Sequence, residues 1–149
     1  MTAQVQNVTI VMIEDDEGHA KLIEKNLRRA GIMNEIVHID NGRKAAEYLL
    51  GKGEYAKDRP ASPMLILLDL NLPELDGFQI LEAIKKDNIT KLIPVIILTT
   101  TDNPREVERC YALGCNVYVT KPVEYEAFAD SIRKLGLLLA VVKVPGEDK

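Results

Sequence analysis

The chain has little cysteine and histidine, and it lacks a long uninterrupted apolar run. Its 149 residues include two cysteines and two histidines, which are too few for a zinc site at ordinary ligand spacing. The cysteines, Cys110 and Cys115, are expected to be free thiols of a reducing cytoplasm. No run of about 18 apolar residues occurs, so no membrane-spanning helix is expected.

Positive charge is also scarce. Lysine and arginine number 19 against 23 aspartates and glutamates, which gives a net charge of −4 at pH 7. A protein that binds duplex nucleic acid would carry a basic stripe, so this class is not expected. The first ten residues have neither a basic start nor a long apolar core, so no signal peptide is predicted. The ordinary composition, 46% apolar and 28% charged, favours one globular domain with a core.

Short apolar runs alternate with segments of helical periodicity along the whole chain. The runs predict strands at residues 8–13, 35–39, 64–68, 95–98 and 117–120. A turn is predicted at 40–42 and a surface loop at 51–63. The β–α order occurs five times with connections long enough for right-handed crossovers. The pattern therefore predicts an α/β fold with a parallel sheet between two layers of helices.

Carboxylates, hydroxyls and an ammonium group follow four of the five predicted strands. Parallel strands end at one edge, where open α/β sheets bind their ligands, so these groups should gather there. Adjacent carboxylates suggest a cation such as Mg²⁺, and an aspartate can accept a phosphoryl group that a lysine and a hydroxyl stabilise. The residues are Glu14 and Asp15 after the first strand, Asp69 after the third, Thr99 and Thr100 after the fourth, and Lys121 after the fifth.

Four motifs in this order resemble the receiver domains of two-component response regulators. The motifs are Ile13-Glu14-Asp15-Asp16, Leu68-Asp69-Leu70-Asn71-Leu72-Pro73, Leu98-Thr99-Thr100 and Thr120-Lys121-Pro122. The resemblance covers roughly residues 8–135 and implies a flavodoxin-like (βα)5 fold with strand order 2-1-3-4-5. It implies one receiver domain over residues 1–149, with a C-terminal helix extension and tail from about residue 136.

The resemblance also implies a metal site and a phosphoacceptor. Asp69 matches the phosphoacceptor, and Asp15 matches the acidic ligand of Mg²⁺. Glu14 stands in the place of the first acid of the family's pair and is expected to act through a water molecule. Asn71 matches the position whose backbone carbonyl completes the metal shell.

Four further residues stand at the positions that bind the phosphoryl group or respond to it in the family. Thr99 and Lys121 resemble the phosphate-binding pair, and Tyr118 matches the aromatic residue whose rotamer reports phosphorylation. Thr100 departs from the small residue that is commoner in the family, and its bulk is expected to slow access to the site. His19 and His38 are expected at the surface or in loops, with His19 near enough to the acids for a modest tuning role.

Some stretches resemble a narrower group, the single-domain response regulators paired with phytochrome histidine kinases. These stretches are Gly53-Glu54-Tyr55, Arg59-Pro60, Leu67-Leu68-Asp69-Leu70-Asn71-Leu72-Pro73 and Leu98-Thr99-Thr100. The chain departs from that group where Lys121-Pro122 replaces Lys-Ser and where leucines replace Phe-Trp near the end. The expected function is a stand-alone cytoplasmic regulator, since no DNA-binding output domain fits after the last helix.

Two other functions stay open. A Mg²⁺-dependent phosphatase can also form an aspartyl-phosphate, although Asn71 stands where its second acid would be. A pseudo-receiver would bind partners without chemistry, but the acids and Lys121 argue against it. The receiver interpretation predicts a signalling protein that is not an enzyme, beyond assisting its own phosphorylation and dephosphorylation.

The C-terminal segment is more apolar than the last helix of a monomer requires. Residues 135–145 are almost all apolar, and one helix face would bury about half of them. A contiguous exposed apolar patch usually marks an interface. The segment therefore predicts a homodimer through the last helix and tail.

Overall fold

The computed structural model describes residues 8–53, 64–121 and 125–139, in which strands and helices alternate as predicted. The elements are β1 Thr9–Ile13, α1 Glu17–Arg29, β2 Ile36–Ile39, α2 Gly42–Leu50, β3 Met64–Leu68, α3 Gly77–Lys86, β4 Val95–Thr99, α4 Pro104–Leu113, β5 Val117–Thr120 and α5 Tyr125–Leu139. The strand bounds differ from the predicted ones by at most one residue. Within these described ranges, every helix is too short or too polar to cross a membrane.

The five strands form one parallel sheet in the order β2-β1-β3-β4-β5, which confirms the predicted topology. The central strands β1, β3 and β4 are buried along their whole length, which explains their continuous apolar runs. The register pairs Ile13 with Leu68 and Leu68 with Ile97. The residues that follow β1 and β3 therefore emerge side by side at the carboxyl edge of the sheet.

Each face of the sheet carries its own apolar core. On one face, α1 and α5 pack over the sheet, with Leu27 and Ile132 fully buried. On the other face, α2, α3 and α4 bury side chains such as Leu49, Ile80 and Cys110. Cys110 and Cys115 are both buried free thiols. The predicted surface loop at 51–63 lies outside the described residues from residue 54 onward.

The predicted turn at 40–42 is wrong at Gly42, because α2 begins there. Asn41 is the N-cap of α2, and its side-chain oxygen accepts the backbone N–H of Lys44 at 3.0 Å. Gly42 is the first helical residue and packs directly on the loop after β3. A Cβ atom at Gly42 would lie 1.7 Å from the carbonyl oxygen of Leu75. The two residues that suggested a turn therefore have other roles: Asn41 caps α2, and Gly42 allows a close backbone contact.

The loop between β3 and α3 is held tightly beside the carboxyl edge. Glu74 adopts a left-handed backbone with φ of 69°, and its carboxylate accepts hydrogen bonds from Asn41 and from the Arg43 Nε at 3.1 Å. At the other end of the loop, a Cβ at Gly77 would lie 2.5 Å from the carbonyl oxygen of Asp69. Backbone contacts therefore hold the loop in place where it leaves Asp69.

Candidate functional site

The sheet brings five of the predicted residues together. Asp69 directly follows β3, Glu14 and Asp15 follow β1, Thr99 is the last residue of β4, and Lys121 directly follows β5. The backbone N–H of Asp69 donates to the carbonyl of Ile13, which keeps β1 and β3 paired up to the site. The backbone N–H of Lys121 likewise donates to the carbonyl of Thr99.

Asp69 is held through both of its carboxylate oxygens. Its Oδ1 accepts from the hydroxyl of Thr99 at 2.9 Å and from the backbone N–H of Asn71 at 3.0 Å. Its Oδ2 accepts from the Lys121 Nζ at 2.9 Å. The side chain is buried apart from a small accessible fraction, with 7% of the residue exposed. An aspartate fixed in this way presents an anionic oxygen in a defined direction, beside a hydroxyl donor and an ammonium group.

Lys121 joins the two buried carboxylates across the edge. Its ammonium donates to Glu14 Oε1 as well as to Asp69, while the other oxygen of Glu14 accepts the N–H of Asp16 at 3.0 Å. Burial raises the pKa of Glu14 to about 7, although the neighbouring Lys121 lowers it. When both acids are ionised, two carboxylates face one ammonium, and the buried cluster has a net negative charge.

Three carboxylates are arranged so that they can share a cation. Oxygen atoms of Glu14, Asp15 and Asp69 all lie within 4.8 Å of one another. Asp15 is exposed and lies at the rim, while the other two acids are buried. An all-oxygen set of this size suits a hard divalent cation. The predicted water-mediated role of Glu14 and the carbonyl role of Asn71 stay predictions.

Two predicted residues lie away from this cluster. Thr100 is exposed just beyond β4. The Tyr118 hydroxyl donates to the carbonyl of Thr101 at 2.7 Å, and the backbone N–H of Tyr118 donates to the hydroxyl of Tyr111 at 3.1 Å. Burial raises the pKa of Tyr118 to about 12, so its phenol stays a hydrogen-bond donor. Tyr118 thus connects β5 to the loop after β4, and its role as a reporter stays a prediction.

The structure assigns more to the histidines than the sequence indicated. Nδ1 of His19 lies 3.3 Å from the Lys121 Nζ, and the backbone N–H of His19 is held by Asp16, the N-cap of α1. Nε2 of His38, on β2, lies 2.7 Å from the carbonyl oxygen of Glu14. The one local signal for His19 is its place in the first turn of a helix that starts beside the acids.

A sequence model of the response regulator receiver domain matches residues 10–133. Response regulator Rcp1 of Synechocystis sp. is 38% identical over 112 residues, which are 75% of this chain and 75% of that protein. The Mn²⁺-bound structure of response regulator Rcp1 has a TM-score of 0.85 and 33% identity, covering 92% of this chain and 98% of that one.

Two further solved structures are similar over nearly their whole length. A response regulator receiver domain from Rhodospirillum rubrum is 51% identical with a TM-score of 0.83, covering 93% of this chain and 97% of that one. The phosphorylated cyanobacterial phytochrome response regulator RcpA is 34% identical with a TM-score of 0.82, covering 92% and 97%. With a family match over most of its length, this chain belongs to the response regulator receiver domains, which are signalling proteins.

Proposed function

We propose that Asp69 accepts a phosphoryl group from the phosphohistidine of a histidine kinase, and that the acyl phosphate shifts a two-state surface that signals to a partner. The observation that carries the proposal is the set of hydrogen bonds that fixes both oxygens of the Asp69 carboxylate. One oxygen is bound by Thr99 and Asn71, and the other by Lys121. Receiver domains act with histidine kinases, so the phosphoryl donor follows from the family.

The transfer needs only the phosphohistidine, the Asp69 carboxylate and one proton from solvent. A carboxylate oxygen of Asp69 attacks phosphorus, the N–P bond of the donor breaks, and an O–P bond forms, while the leaving imidazole takes a proton from solvent. The transferring group has negative charge spread over its three peripheral oxygens. The hydroxyl of Thr99 and the ammonium of Lys121 are placed to donate to these oxygens, and this chain assists its own phosphorylation in that way.

Mg²⁺ is the cation that we propose for the acidic cluster. When bound, it neutralises negative charge on the phosphoryl group. Asp15 and Asp69 would hold it directly, Glu14 would hold it through water, and the carbonyl of Asn71 would complete the shell. The proposal is supported by the three close carboxylates and by the Mn²⁺-bound form of the relative Rcp1.

The kinase is proposed to be of the phytochrome type. The relative RcpA is a cyanobacterial phytochrome response regulator, and its similarity to this chain extends over nearly its whole length. We place the exchange in the cytoplasm, which keeps thiols such as Cys110 and Cys115 reduced. The output is proposed to be a protein contact, a change in the dimer, or relay of the phosphoryl group to a phosphotransfer protein. Phosphoryl transfer from a phytochrome-type kinase should exceed transfer from an unrelated kinase, and equal rates would contradict this pairing.

The phosphoacceptor is tested by intact mass after incubation of the full chain with acetyl phosphate and Mg²⁺. The native protein should gain one phosphoryl group, and Asp69→Asn should gain none, because an amide is a poor nucleophile of nearly the same shape. Asp102→Asn is the matched control, since Asp102 is an exposed aspartate in the loop after β4. It should gain the group as the native protein does.

The other outcomes would contradict either the acceptor residue or the function. A full gain in Asp69→Asn would place the acceptor elsewhere. No gain in the native protein would indicate a pseudo-receiver, and repeated turnover of phosphate monoesters would indicate a phosphatase.

A further inference from the structure

The ammonium of Lys121 has three acceptors around it. They are Glu14 Oε1, Asp69 Oδ2 at 2.9 Å and His19 Nδ1 at 3.3 Å. A lysine ammonium has three N–H donors and no acceptor, so all of its donors are engaged. Because Lys121 can only donate, Nδ1 of His19 must accept, and the ring proton of a neutral His19 lies on Nε2.

The three acceptors are not equally strong. Glu14 and Asp69 offer carboxylate oxygens that are almost completely buried, whereas His19 offers a ring nitrogen at a longer distance. An ionised carboxylate attracts the ammonium by its full negative charge, which a neutral ring nitrogen does not have. The His19 side chain is 38% exposed, so water can replace Lys121 at its Nδ1. His19 is therefore the partner that Lys121 can give up at the lowest cost.

We propose that His19 is the resting-state partner of Lys121 and positions it for the phosphoryl group. When Asp69 is phosphorylated, the N–H that His19 holds turns to a phosphoryl oxygen, and Nδ1 of His19 is released to solvent. This inference rests on Asp69 being the phosphoacceptor. His19 lies in the first turn of α1, which packs against α5, so the exchange reports the state of the buried site at the rim of the fold.

Nitrogen NMR of the imidazole rings tests the exchange directly. The full chain, labelled uniformly with ¹⁵N so that backbone amides and imidazole rings are both observed, is measured at about pH 8, where an ordinary imidazole is neutral. Spectra are recorded without addition, with Mg²⁺ alone, and with Mg²⁺ plus beryllofluoride, which is a stable mimic of a phosphoryl group. The chain has two histidines, so His19→Gln assigns both rings. His38 is the internal reference, because its Nε2 donates to the carbonyl of Glu14 in a contact that the exchange does not involve.

Beryllofluoride should move the Nδ1 signal of His19 to the position of a water-exposed ring nitrogen and move the His38 signals much less. An unmoved His19 signal would overturn the inference if the Thr99 amide shows that beryllofluoride is bound. A signal that has already moved fully with Mg²⁺ alone would also overturn it, because the metal would then be the cause.

A pair of variants supplies a second readout, the affinity for beryllofluoride at saturating Mg²⁺. His19→Leu removes the acceptor and keeps water from the ammonium, so the resting state is destabilised and the affinity should rise about fivefold, as for the loss of one modest hydrogen bond. His19→Gln restores an acceptor oxygen and should return the affinity to within about twofold of the native value. Equal or weaker binding by the leucine variant would overturn the inference. If the native protein gains no phosphoryl group from acetyl phosphate, the proposed function itself fails. If it gains the group but the Nδ1 signal of His19 does not move with beryllofluoride, only the exchange is disproved.

Discussion

Glu14 is the residue at which burial and charge oppose each other most directly. It is 2% exposed, shares one ammonium with Asp69, and has a pKa of about 7 against an ordinary value of 4.5. Desolvation is the largest cause, and Lys121 offsets only part of it. The protein tolerates this unfavourable charge at the edge where a cation would relieve it, as expected for a functional site.

The metal-free protein should therefore lose stability as the pH rises. Between about pH 4.5 and pH 7 the folded state holds a proton on Glu14 more often than the unfolded state does, so the Glu14 contribution is present below this window and is lost as the pH passes about 7. Glu14→Gln cannot ionise and should remove this part of the pH dependence. Urea unfolding in EDTA at several pH values gives the slope of the free energy of unfolding against pH for the native protein and for the variant.

The difference between the two slopes is the quantity to compare, because other titrating groups are common to both proteins. The free energy of unfolding of Glu14→Gln at a single pH is less informative about titration, because the variant also loses a hydrogen-bond acceptor. One amide oxygen cannot replace both carboxylate oxygens, which accept from Lys121 and from the Asp16 N–H. Identical slopes for the native and variant proteins would show that Glu14 does not titrate in this window.

Asp15 should dominate the affinity for Mg²⁺, although it is exposed. It is the one acid of the three that Lys121 does not bind in this structure. Asp15→Ala should weaken Mg²⁺ binding by more than about tenfold, since one of few charged ligands is lost. Isothermal titration calorimetry measures the affinity, with Asp102→Ala as the exposed control. An unchanged affinity in Asp15→Ala would refute the metal site.

At the scale of elements, the start of α2 and the loop after β3 form one contact. Asn41 caps α2 with its oxygen and donates with its nitrogen to Glu74, the residue with a left-handed backbone. Gly42 permits the approach, because its missing side chain leaves room for the carbonyl of Leu75. This contact supports the loop that leaves Asp69, and helix capping is therefore connected to the geometry of the site.

Gly42→Ala should be strongly destabilising. Its Cβ would lie 1.7 Å from a backbone oxygen, and relief requires a shift of α2 or of the loop, at a cost of about 3 kcal/mol or more in free energy of unfolding. Gly18→Ala is the matched control, because its Cβ would meet only the exposed carboxylate of Asp16 at 3.3 Å. Urea unfolding should show a much smaller change for the control. A similar decrease in the free energy of unfolding in both variants would rule out the close contact as the cause.

At the scale of the whole molecule, the chain is predicted to be a homodimer through about residues 125–145. The reason is the apolar excess of the C-terminal segment, of which residues 140–149 lie outside the described ranges. Burial of three or four additional leucine and valine side chains contributes roughly several kcal/mol, which must exceed the entropy of association. Truncation after Leu135 should give a monomer that still accepts phosphate.

Light scattering measures this prediction on both proteins, with and without phosphorylation. A full-length chain that stays monomeric at tens of micromolar in both states would overturn it. A truncated chain that no longer accepts phosphate would show instead that the segment supports the fold.

Local pattern alone determined the α/β class, the parallel sheet and most of the candidate site, whereas the strand order was implied by the resemblance to receiver domains. Continuous apolar runs mark strands that are buried on both faces, and parallel strands place the residues after them at one edge. These two rules bring Asp69, Glu14, Asp15, Thr99 and Lys121 together without any knowledge of the register. The turn at 40–42 was predicted less well, because asparagine and glycine suit both a turn and a helix start.

Tertiary structure decided which of the gathered groups bind one another. Glu14 and Lys121 are 107 residues apart, His19 and Lys121 are 102 apart, and Asn41 and Glu74 are 33 apart. Such pairs depend on strand register and on how far each side chain reaches across the edge, and no local pattern encodes either quantity. The same holds for the raised pKa of Glu14, because desolvation depends on every element that covers the carboxyl group.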